Sequence, residues 1–93
     1  MNIVTKIRCL CSSEDEWVQE AGRAFGDAAD DLFDLFVERK KPSPEFKSRL
    51  ARVFSDVNSA LAACGIEIIE GESEREIAAA YLSYCKIIIE SRM

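Results

Sequence analysis

Between residues 17 and 36, apolar side chains recur as Trp17, Ala21, Phe25, Ala28, Leu32 and Leu35/Phe36. Steps of three and four residues are the period of a helix with one apolar face, and they do not fit a strand, whose side chains alternate. Soon after comes Pro42-Ser43-Pro44. Proline inside a helix removes a backbone donor and clashes with the preceding turn. The chain therefore contains a long amphipathic helix that must stop before residue 42. The remainder has to cover that helix's apolar face.

The remaining segments carry the same period. Ile3, Ile7 and Leu10, with Val4 and Cys11 beside them, predict a short helix over residues 2–11. Ser12 and Ser13 interrupt it. Ser13 followed by Glu16 has the spacing of a capping box, which places the start of the long helix there. That helix is expected to run to about Lys40, with the basic residues 39–41 at the negative end of its dipole. Gly22 and Gly26 lie inside it. Each costs about 1 kcal/mol relative to Ala, so their presence points to close approach of another helix or to a bend. Ser43 can cap a third helix with Pro44 in its first turn. Phe46, Leu50, Val53/Phe54, Val57, Leu61 and Cys64 form its apolar face, and Gly65 is a left-handed stop. Ile66 to Glu70 reads as a connector or a lone extended strand. A second capping box, Ser73-Glu74-Arg75-Glu76, opens the last helix, in which Ile77, Tyr81 (or Ala80), Tyr84, Cys85 and Ile88 face inward. Ile87 to Ile89 is apolar all round and predicts burial on more than one side. The expected fold is all-α: one domain over residues 1–93, a small antiparallel helical bundle of three long helices plus a short N-terminal helix.

Apolar residues make up 48% of the 93-residue chain and charged residues 31%, the balance of a folded domain. The net charge of −5 disfavours direct nucleic-acid binding, which needs a basic face, and adhesion to anionic membranes. It suits a basic protein partner. No apolar run reaches the roughly 18 residues of a membrane span. Lys6 and Arg8 break the N-terminal apolar stretch, which does not read as a signal peptide. The expected location is the cytoplasm. There Cys9, Cys11, Cys64 and Cys85 stay reduced and read as small buried apolar residues. With no histidine in the chain, Ser-His and Cys-His nucleophile pairs are excluded. No Gly-rich phosphate loop, zinc-type Cys spacing or cofactor motif is present, so the chain reads as non-enzymatic and without a cofactor.

The most specific feature is a charge pattern. At 100° per residue, Glu16, Glu20, Asp27, Asp31, Asp34 and Glu38 fall within a band about 60° wide, with Asp30 beside it. No basic residue enters the band, although like charges at these spacings repel. Residues 1–38 carry nine acids and three bases, whereas residues 39–56 carry two acids and six bases. Two readings stand side by side. Either the acidic face pairs internally with the basic third helix, through Arg49 and Arg52, or it is a docking face for a basic partner. The candidate partner-binding residues are Glu20, Asp27, Asp30, Asp31, Asp34 and Glu38, with Asp56 on the third helix and Glu70 and Glu72 in the connector around Gly71. Glu72 and Glu74 also suit the start of the last helix. Trp17, Tyr81 and Tyr84 are possible anchors, but their spacing places them in the core.

Several short stretches, Leu32-Phe33-x-Leu35-Phe36, Pro44-Glu45-Phe46, Phe54-Ser55-Asp56-Val57-Asn58 and Ser73-Glu74-Arg75-Glu76-Ile77, together resemble the bacterial self-protective colicin-like immunity proteins, the colicin D immunity protein family. The resemblance spans about residues 14–90. It departs from the family pattern at Asn58, where a second Asp is usual, at Ser59-Ala60, where an aromatic is expected, and in Cys9-Leu10-Cys11, which has no counterpart. It implies a helical inhibitor that blocks the active site of a cognate toxin, commonly a ribonuclease. The charge pattern independently suits an acidic face seated in a basic nuclease cleft. The same pattern suits a phage-encoded inhibitor of a host defence complex, acting as a nucleic-acid mimic. A third reading is a self-assembling structural or adaptor protein, joined through Ile66 to Ile69 and Ile87 to Ile89. The chain is expected to be a monomer or homodimer.

Overall fold

The computed structural model describes residues 1–92 as four helices: α1 (Ile3–Cys11), α2 (Glu16–Val37), α3 (Pro44–Ala63) and α4 (Glu74–Ser91). No strand occurs among the described residues; Ile66 to Glu70 is an irregular connector. α2 packs against each of the other three helices.

Local chemistry accounts for most of the boundaries. Asn2 caps α1 by accepting from the Thr5 N–H at 2.9 Å. Ser43 caps α3 through the Phe46 N–H, with Pro44 in the first turn. Ser73 caps α4 by accepting from the Glu76 N–H at 3.2 Å. The Glu76 carboxylate reaches back to the Glu72 N–H at 2.8 Å, one residue earlier than in a standard capping box. The Ser13–Glu16 box does not form. The N-cap of α2 is Asp15, and the Ser13 hydroxyl accepts from the Asp15 N–H instead. The cause lies in α1: the Ser13 N–H is already bonded to the Leu10 carbonyl, so Ser13 belongs to the end of that helix.

α2 and α3 end alike. In each, the last carbonyls are closed by two bonds of the Schellman type. At α3 these are Gly65 N–H to Ala62 and Ile66 N–H to Leu61, with Gly65 left-handed at φ 72°. At α2 they are Arg39 N–H to Phe36 and Lys40 N–H to Leu35, with Arg39 left-handed at φ 58°. α2 thus stops at Val37 rather than near Lys40.

The core draws on all four helices and centres on Tyr81, which is fully buried. Its ring stacks on Phe25, centroids 4.3 Å apart, and Tyr84 meets Phe25 edge-on at 5.3 Å. The Tyr81 hydroxyl donates to the Leu50 carbonyl at 2.7 Å, which meets the need of a buried phenol for a partner. Burial pushes its pKa well up, opposed by the Arg49 charge. Among the described residues no buried side-chain nitrogen or oxygen lacks a partner.

Gly22 shows why α1 can sit so close to α2. A Cβ there would lie 2.9 Å from Cys11 Sγ and 3.0 Å from Leu10 Cβ. The Gln19 side-chain amide, one turn away, donates to the Cys11 carbonyl. Gly26 is different, since a Cβ there would meet only the Tyr84 hydroxyl at 3.6 Å.

Several sequence expectations need correction. Cys9 and Cys64 are exposed; Cys85 is buried, and Cys11 is partly covered. Burial raises the thiol pKa of Cys85, helped by Asp30, and raises that of Cys11 against the opposing Arg23 charge. Trp17 is 53% exposed and Phe36 64%, although both lie on the helical stripe. Ile89 is 40% exposed, so the end of α4 is not covered on every side.

Candidate functional site

The acidic band of α2 lies opposite the face that carries Val18, Ala21, Phe25, Ala29 and Leu32 into the core, and its carboxylates are exposed. Internal pairing is limited. Arg49 donates to Asp31 at 2.7 Å, and Lys40 reaches Glu38 at 3.0 Å. Both pairs are solvent-exposed, so each is worth at most about 1 kcal/mol. Glu20, Asp27, Asp30, Asp34 and Asp56 make no ion pair among the described residues, and neither does Arg52. The basic third helix therefore neutralises one carboxylate of the band, through Arg49, and leaves most of it in solvent.

Tertiary packing sorts these carboxylates into distinct places. Glu20 on α2 and Asp56 on α3 line one groove of about 370 Å³ with Trp17, Ala21, Ala24 and Ser59. An exposed indole thus shares a groove with carboxylates from two helices. Asp27 and Asp30 line a second groove, of about 410 Å³, between α2 and α4, with Phe33, Tyr84 and Arg92 among its other walls. Burial raises the Tyr84 pKa, with Cys11, Asp30 and Cys85 adding to the rise and Arg8 opposing it. Asp34 is exposed on the band and lines neither groove.

Glu70 and Glu72 are exposed in the connector, outside both grooves. That connector is held by Asn58, whose amide donates to the Ile69 carbonyl at 3.0 Å and whose carbonyl accepts from the Ile69 N–H at 2.8 Å. An aspartate in this position could accept but not donate. The amide at 58 therefore has a structural task. Gly71 completes the connector where a Cβ would lie 3.2 Å from the Phe54 ring.

Trp17 is the candidate anchor whose place the sequence misassigned. It stands about 80° from Phe25 around the helix, at the margin of the apolar stripe, but Ala28, about 60° from Phe25 on the same side, is fully buried, so azimuth alone does not separate it from the core. The placing of Asp56 and Glu20 in one groove has no local signal, because it depends on how α3 crosses α2.

Among the described residues, no group of three Cys, Asp or Glu side chains is placed to hold a metal ion. No described helix is long and apolar enough to cross a membrane. No protein-family model, curated protein or solved structure matches this chain.

Proposed function

We propose that this chain is a non-catalytic inhibitor that binds a basic protein, specifically a cytoplasmic immunity protein that neutralises a bacteriocin or nuclease toxin. The carrying observation is the Trp17 groove, which an exposed indole lines together with Glu20 and Asp56, beside a largely unpaired acidic band. A basic side chain entering the groove would meet a π-face and carboxylates together, and both attract cations. Tryptophan is also among the residue types enriched in the side chains that dominate binding energy. The fold supplies rigidity: the elements that present Glu20 and Asp56 belong to one core, with successive helices set antiparallel as the bundle's joints favour. The resemblance of residues 14–90 to the colicin-like immunity proteins points the same way.

The test is affinity capture from the source cells with the wild-type chain, Trp17→Ala and Glu20→Gln/Asp56→Asn as baits. The expected result is a basic toxin or nuclease, held at low salt, released as salt rises and reduced at least tenfold by either variant with helicity unchanged. Asp31 is left intact because its pairing with Arg49 would confuse folding with binding. Equal capture of the same partner by all three baits would refute docking at this groove. Recovery of a defence-complex subunit would replace the toxin with that target.

A further inference from the structure

A second exposed apolar region lies at the far end of α2 from Trp17. Phe33 and Phe36 of α2 and Leu82 and Ile89 of α4 line a groove of about 430 Å³, bordered by Lys86 and Glu90. Phe36 and the adjacent Val37 are each more than three-fifths exposed, and Ile89 is also exposed. Clustered exposure of this kind, unlike single scattered apolar residues, is where an interaction surface is to be sought. Its rim differs from that of the Trp17 groove: one cation and one anion, in a chain of net charge −5.

Leu82, Lys86, Ile89 and Glu90 recur at helical spacing and so share one face of α4. Lys86 and Glu90 are four residues apart but make no ion pair among the described residues. Lysine N-terminal to glutamate is the less favourable order for pairing within a helix. Each charge is thus left for an opposite charge from outside. A two-fold contact supplies that, because residue i of one subunit meets residue j of the other and the reverse. With the axis crossing the exposed face of α4 at the level of residue 88 along the helix, midway between them, two antiparallel α4 helices bring Lys86 to Glu90 of the partner copy and Glu90 to its Lys86.

We propose that this end of α2 and α4 is a homodimer interface whose occupant is a second copy of this chain. The pattern fits a second copy, since this groove carries one charge of each sign and so complements itself across a two-fold axis. Area places the charged rim inside the contact. A standard interface covers about 800 Å² per partner, about one-eighth of the 6251 Å² surface. Phe36, Val37 and Ile89 supply only part of that. The proposal does not depend on the Trp17 groove, which is lined by other residues.

Sedimentation velocity over a concentration series tests it, with circular dichroism confirming that each variant keeps its helices. The wild-type chain is expected to double in mass as concentration rises. Phe36→Ser, Lys86→Glu and Glu90→Lys should each weaken this dimer at least tenfold, the last two by placing like charges opposite each other at two symmetric positions. An equimolar mixture of Lys86→Glu with Glu90→Lys should regain the dimer, because both cross-subunit pairs are then of opposite sign. A fold defect in either variant would not be rescued by mixing. A wild-type chain that stays monomeric throughout, or a dimer indifferent to all three substitutions, overturns the proposal, as does a mixture no more dimeric than its components.

Discussion

Phe25 and Phe36 lie about three turns apart on α2 and only about 20° apart around its axis. Their surroundings are opposite. Phe25 is fully buried, stacked on Tyr81 and met edge-on by Tyr84, whereas Phe36 is 64% exposed. The N-terminal part of α2 is covered by α1, which approaches at Gly22. Beyond Leu32 the cover thins: Leu35 is half-buried, and Phe36 and Val37 project into solvent. A continuous apolar stripe defines which way a helix face points. It does not define how far neighbouring helices extend along that face.

The largest effect expected from this contrast is in stability. Phe25→Ala should cost about 3–5 kcal/mol, because it leaves a cavity against two aromatic rings. Phe36→Ala should change stability by less than about 0.5 kcal/mol, as for other surface positions. Chemical denaturation at low protein concentration, where self-association does not contribute, measures both. Similar losses for the two would mean that the end of α2 is as well covered as its middle. The paired glycines give the next largest difference. Gly22→Ala should lower stability by about 1–2 kcal/mol, since the crowding of Cys11 and Leu10 outweighs the gain in helix propensity. Gly26→Ala should raise stability by up to about 1 kcal/mol, because its surroundings are open. A stabilising Gly22→Ala would show that α1 moves away from α2 at little cost.

What could be read from the sequence was mostly local. Ser43 with Pro44, Ser73 with Glu76, and Gly65 each act within a turn of their own position, and all serve as their chemistry implies. The Ser13 box failed because its backbone is shared with the end of α1, which spacing alone cannot reveal. The acidic band was legible as a face, since helical geometry fixes azimuth. Its division into a Trp17 groove, an Asp27–Asp30 groove and an Arg49-paired Asp31 depends on helix crossings that no local pattern encodes. The same holds for the Asn58 clamp on Ile69, which joins residues eleven apart across a helix end.

The smallest expected effect concerns where α2 stops. Arg39 takes the same left-handed position, closed by the same pair of backbone bonds, that Gly65 takes after α3. A residue with a Cβ pays roughly 1–2 kcal/mol there, while glycine at the same site loses about 0.5–1 kcal/mol more chain entropy on folding. Arg39 makes no ion pair among the described residues that would offset the difference. Arg39→Gly should therefore stabilise the fold by about 0.5–1 kcal/mol, seen as a higher denaturation midpoint with an unchanged slope. Gly65→Ala should do the reverse at α3. If Arg39→Gly destabilises instead, α2 continues in solution towards Lys40, as its basic residues 39–41 suggest. The uncovered end of the helix would then be longer than Phe36 and Val37 indicate.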